Sequence, residues 1–160
     1  MRGDLSHIVF VRATADHVDP IAGRLRAADV AEVKAAAGLV SREALLSSLD
    51  KSDRAFTVMI NGVPEIMFGV ASLNVLTGLG VPWMLGTDAV TANYRAVLRL
   101  SRMMLPGLAR VYSVLRNIVH ADNRVSVAWL RWLGFRLSEP LPLGRNGALF
   151  HVFEKEFGHV

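Results

Sequence analysis

Cysteine is missing from this 160-residue chain, which excludes a disulfide framework and any chemistry that needs a thiolate. Phenols are scarce, with two tyrosines in all. The five histidines and fourteen acids never fall into a metal-ligand spacing such as His-x-x-x-His, so no metal site is expected. Gly69 to Leu73 is not a nucleophile elbow, because that motif holds its serine between two glycines. No apolar h-region follows Met1-Arg2-Gly3-Asp4, so no secretory leader is expected. Ile66 to Thr87 is 22 residues without a formal charge, long enough to cross a bilayer. Gly69, Gly78, Gly80, Gly86 and Pro82 break it into two strand-sized pieces, which predicts a buried hairpin and no membrane contact.

Negative charge is short in one half only. Residues 1–94 carry 8 Lys/Arg and 10 Asp/Glu, whereas residues 95–160 carry 10 Lys/Arg and 4 Asp/Glu. Eight arginines lie between Arg95 and Arg136, with Asp122 as the only acid. Guanidinium forks suit phosphate and carboxylate groups, so a nucleic-acid or acidic-protein contact through residues 95–136 stands beside the plainer reading of a solvated basic face. No nucleic-acid motif accompanies it.

What remains is an ordinary single domain over residues 1–160, long enough to bury its own core. Its 52% hydrophobic content exceeds the roughly 45–50% of typical soluble domains and suggests a partner or self-association interface. His7 to Arg12 alternates as a strand. Thr14 can cap a helix with Pro20 early in it, and Arg24 to Ala37 favours helix up to Gly38. Ser41 opens a helix to about Leu49. Arg54 to Ile60 and Val63 to Leu73 form a hairpin about Asn61-Gly62, and Val81 to Leu85 is a further strand. Thr91 caps a long helix that Pro106-Gly107 kinks or ends. Val114 to His120 is strand, 123–133 helix and 149–157 a last strand. The order makes an α/β (α+β) fold.

The segment Val119 to Phe135, VHADNRVSVAWLRWLGF, is the most specific. Asn123 can cap its helix and Gly134 can end it, eleven positions on. Asn123, the small Ser126 and Trp132-Leu133-Gly134-Phe135 resemble the fourth conserved segment of the GNAT superfamily of N-acetyltransferases. That resemblance implies a mixed, mostly antiparallel sheet of about six to seven strands with helices on both faces. FGVASLNVLTGLGVPWMLGTD, Arg110-Val111-Tyr112 leading into Arg116-Asn117, and SVAWLRWLGF resemble a narrower branch, the small internal virion (core) proteins of short-tailed bacteriophages.

The superfamily implies an acetyl-CoA site at the turn after the fourth strand, with an Arg/Gln-x-x-Gly-x-Gly/Ala pattern whose amides hold pyrophosphate. Leu85-Gly86-Thr87-Asp88-Ala89-Val90-Thr91-Ala92-Asn93 stands there, with one glycine and with Asp88 where an anion would lie. If acetyl-CoA binds, Leu85, Gly86, Thr87, Thr91, Asn93 and Asn123 are the contacts the resemblance implies. The tyrosine that protonates the leaving thiolate in many members, seven residues beyond the Asn, is here Leu130. His120 and Asp122, two apart at a strand end, are the candidate catalytic pair; Glu65 and Asp88 are weaker candidate bases. Two expectations follow. The first is a phage or prophage virion structural or assembly protein without catalysis or cofactor, located in the particle or host cytoplasm and contacting other phage structural proteins. The alternative is an acetyl-CoA-dependent N-acyltransferase with a degenerate cofactor loop.

Overall fold

The computed structural model describes residues 6–158; the polar opening Met1 to Asp4 lies outside them. Seven strands make one sheet in the order β1-β2-β3-β4-β5-β7-β6. They are β1 Ile8–Arg12, β2 Arg54–Ile60, β3 Val63–Asn74, β4 Leu79–Gly86, β5 Val114–His120, β6 Arg136–Leu137 and β7 Phe150–Glu156. Every neighbouring pair is antiparallel except β4 and β5. The helices are α1 Val18–Ala22, α2 Ala27–Ala37, α3 Ser41–Lys51, α4 Ala89–Ala92, α5 Tyr94–Ala109 and α6 Arg124–Trp132.

Local chemistry explains the sharpest features. Asn61 and Gly62 take φ of 51° and 79°, the doubly left-handed pair that a two-residue hairpin turn requires and that Asn-Gly tolerates. Asn123 caps α6 by accepting from the Ser126 amide at 3.4 Å. The helix closes with Gly134 at φ 88°, where the Phe135 amide donates to the Leu130 carbonyl and the Gly134 amide to that of Arg131, a Schellman ending.

Strand alternation then divides the core. Met67 and Leu85 face one side of the sheet and pack with Val18, Ile21, Ala44 and Leu45 of α1 and α3. Ile66 and Val70 face the other side, as Val58 and Ile60 do, where Val97 of α5 and Val127 and Trp129 of α6 cover them. Helices therefore flank both faces, as expected.

Several boundaries differ from the sequence-based expectation. The second helix begins at Ala27, not Arg24, because Leu25 makes a strand-like bridge to Thr87. Ser41 is the first helical residue of α3, with Val40 at the cap position. Thr91 does not cap the long helix. It lies inside α4, and the Thr87 hydroxyl, upstream, accepts from the Ala89 amide at 3.2 Å instead. Pro106 does not end α5, which runs on to Ala109; the ring costs one hydrogen bond in the last turns. β6 has only two residues, too few for a periodic signal. The uncharged run became the β3–β4 hairpin, and no helix among the described residues is long and apolar enough to cross a membrane.

Candidate active site

β4 and β5 pair only at Leu79–Val114 and Gly80–Leu115. From Val81 and Arg116 onward the two strands separate, and a parallel sheet opens at its C-terminal edge. Ligands sit at such edges in open α/β sheets because strand ends and helix starts leave polar backbone groups there. The Asn117 side chain alone reaches across, donating to the Pro82 carbonyl at 2.8 Å.

Helix α2 lies over this opening and is tied to both of its sides by two carboxylates three residues apart. Asp29 is 2% exposed. It accepts from Arg26 at 2.7 and 3.2 Å and from the Gly86 amide, at the end of β4, at 3.0 Å. Arg26 is itself buried and lies 3.5 Å from the Ser126 hydroxyl of α6. Glu32, one turn on, turns to the end of β5. Its Oε2 accepts from the His120 amide at 2.9 Å and from Asn123 Nδ2 at 3.0 Å. Its Oε1 makes no hydrogen bond. Burial pushes the Glu32 carboxyl above the usual range; the bonds from Asn123 and the His120 amide oppose the shift, and nearby Asp29 adds to it. A carboxyl so placed holds a proton more readily than a solvated one, which suits it to proton transfer.

Around this centre lies an open cavity of about 700 Å³. On the α1–α3 side it is lined by Glu32, Val33 and Ser47. On the α5–α6 side it is lined by Phe68, Met84 and Leu100. It thus passes through the sheet at the β4–β5 separation. Trp83 lines it without filling it, since its indole donates to Ser52 at 2.7 Å and packs on the α1–α3 side.

The candidate residues read from sequence have different fates. His120 and Asp122 form no side-chain hydrogen bond with each other among the described residues: β5 ends at His120, so strand alternation no longer applies two residues on. His120 Nδ1 accepts from the backbone amide of Asp122 at 3.1 Å, and its ring stands edge-on to Phe150 at 5.0 Å. The Asp122 carboxylate points out to solvent without a hydrogen bond. Leu85 is a core residue. Gly86 is required by packing, since a Cβ there would sit 2.6 Å from Val90. Thr87 donates its hydroxyl to Glu65 and its amide to the Glu65 carbonyl. Glu65 in turn is held by Arg24 at 2.9 Å. Thr91 is exposed, the Asn93 side chain donates to the Ala89 carbonyl, and Asn123 is spent on Ser126 and Glu32. Leu130 is half-buried core.

The β4–α4 turn spends most of its amides within the protein. The amides of Gly86, Thr87, Ala89 and Val90 all have partners inside the protein, and only that of Asp88 has none. Arg95 and Arg99 are exposed on the first turns of α5, and neither forms an ion pair among the described residues.

Glu32 carried no sequence signal beyond being an acid three residues after another in an alanine-rich helix. Its role depends on α2 lying across the strand ends, which is a tertiary fact.

No protein-family model matches the chain, and no curated protein sequence matches it. Solved structures do. An N-acetyltransferase from Staphylococcus aureus Mu50 aligns with TM-score 0.71 and 14% identity over 94% of this chain and 99% of its own. A ribosomal L7/L12 alpha-N-protein acetyltransferase in complex with coenzyme A gives 0.68 and 10% over 95% of each chain. The ribosomal-protein-S18-alanine N-acetyltransferase from Escherichia coli gives 0.65 and 14% over 96% of each. The chain has a GNAT-like fold.

Proposed function

We propose that this protein is an acyl-CoA-dependent N-acyltransferase in which Glu32 is the general base. The observation that carries the reading is the open cleft through the β4–β5 separation with a free Glu32 oxygen at its wall. Glu32 accepts the proton of an amine entering from the α2–α3 side. The new amide C–N bond forms as the thioester C–S bond breaks. The leaving thiolate takes its proton from water, because Leu130 supplies no phenol. Arg95 and Arg99 offset the phosphates in place of loop amides, with binding that weakens as salt rises. The fold likeness supports a thioester as acyl donor, since the L7/L12 enzyme was solved with coenzyme A.

Calorimetric titration with acetyl-CoA against free CoA, followed by an amine-acylation assay, tests this. Micromolar binding and a Glu32→Gln rate loss of about 10²-fold or more are expected. No heat at millimolar cofactor from folded protein sinks it.

One observation favours a second reading, the phage virion or assembly protein that works by contact. The β3–β4 hairpin holds three apolar side chains out in solvent, Leu73 at 70%, Val75 at 83% and Leu76 at 98% exposed. Exposed apolar side chains grouped in this way mark interaction surfaces, and the internally bonded phosphate turn suits a fold used for contact alone. This reading predicts co-sedimentation with particle proteins and normal particle incorporation of the Glu32→Gln variant.

A further inference from the structure

The cavity does not end at the cleft. It continues beneath α5, between that helix and the β1–β3 part of the sheet. Helix α5 joins the core at its two ends, through Val97 and Leu98 at one and Leu105 and Leu108 at the other. Between them Leu100 and Met104 belong to none of the three core clusters, and across the chamber Phe10 and Phe56 set their rings on Phe68 at 5.8 and 5.7 Å. All four face the cavity. Interiors pack densely and keep few voids larger than a water molecule. Water would need polar partners, and the hydroxyls in this wall are spent: Ser101 donates to the Val97 carbonyl at 2.7 Å and Tyr112 to Asp53 at 3.0 Å. The chamber suits an apolar occupant, and the methionines beside it, Met84, Met103 and Met104, can adapt to one.

A second, independent feature adds an oxygen to that description. Trp129 lines the same cavity, is 9% exposed, and its indole N–H has no hydrogen-bond partner. A buried donor left unmade is costly, and an acceptor on the occupant would satisfy it.

We infer that the chamber beneath α5 is a binding site for a linear aliphatic acyl group, its chain lying between Phe10, Phe56, Leu100 and Met104 and an oxygen facing Trp129 Nε1. The acyl chain of a medium-chain thioester is the source favoured here, which rests on the acyltransferase reading above; a free fatty acid shares the same chemistry. A two-carbon acyl group would leave the chamber empty. The proposed donor therefore carries a longer chain than acetyl.

The test is a titration series with CoA, acetyl-CoA, octanoyl-CoA and octanoate, on the full chain and on Leu100→Trp. Ser101→Phe serves as a second chamber-filling variant should the first fail to fold by circular dichroism. Each methylene withdrawn from water gains about fourfold in affinity, so burying three of the six extra ones tightens octanoyl-CoA over acetyl-CoA by about 60-fold. That gain should vanish in either variant while acetyl-CoA binding stays unchanged, and Trp129→Phe should weaken octanoyl-CoA. Equal affinity for acetyl-CoA and octanoyl-CoA overturns the chain site and leaves the acyltransferase reading standing. Octanoate binding that Leu100→Trp abolishes, with no thioester bound, supports the chain site and sinks the thioester as its source. Binding of neither thioester nor octanoate overturns the site.

Discussion

Replacing Asp29 by alanine removes the only carboxylate that meets Arg26, in a place where water cannot substitute. The two side chains are 2% and 6% exposed, and Arg26 keeps no other anion nearby. Removing one partner of a buried ion pair costs about 3–5 kcal/mol, because the other charge is left uncompensated. The Gly86 amide, also buried, loses its acceptor at the same time, which adds roughly 1–3 kcal/mol. Asp29→Ala should therefore lose about 4–8 kcal/mol, a large share of the 5–15 kcal/mol that holds a domain together. Urea unfolding followed by tryptophan fluorescence reads this directly. The double variant Arg26→Met/Asp29→Leu separates charge from packing. With both charges gone it should recover to within about 2 kcal/mol of the parent, the residue being the Gly86 amide. A single-variant loss below about 1 kcal/mol would refute the reasoning, since the pair would then be solvated or dispensable.

Three further outcomes follow from the same geometry. Because burial holds the Glu32 carboxyl above its ordinary value, the folded state keeps that proton longer than the unfolded chain does. Its contribution is present below the unfolded value and is lost as pH rises through the folded one. Glu32→Gln keeps an acceptor for His120 and Asn123, so its stability relative to the parent should rise as pH climbs above the ordinary carboxylate range, read by denaturant midpoints; a flat difference contradicts the burial. Thr57 is fully buried with a hydroxyl that has no partner, so Thr57→Val should stabilise by about 1 kcal/mol, seen as a rise of about 2–4 °C in melting temperature. Replacing Leu73, Val75 and Leu76 with serine should leave that melting temperature unchanged, and any self-association through the hairpin tip should fall in sedimentation velocity.

Much of the fold was legible along the chain because its signals are local. Asn61-Gly62 specifies its turn through backbone angles, and Asn123 with Gly134 brackets α6 through hydrogen bonds within a few residues. The expected bounds of β2 and β5, Arg54–Ile60 and Val114–His120, agree with the structure. Errors clustered where tertiary pairing overrides propensity. Leu25 left the helix to pair with Thr87 and Arg24 to hold Glu65, and the hydroxyl that meets a first-turn amide after β4 is that of Thr87, not Thr91.

The sequence by itself determined the strand and helix order, the absence of thiol chemistry and the degenerate turn after β4, since each depends on residue type and short-range spacing. Only the tertiary structure decided which acid faces the cleft. His120 and Asp122 looked paired by spacing, yet the strand stops between them. Glu32 looked like one more acid on an alanine-rich helix, yet packing lays that helix across two diverging strands. The cavity beneath α5 was equally out of reach, because a void is defined by side chains distant in sequence that fail to meet.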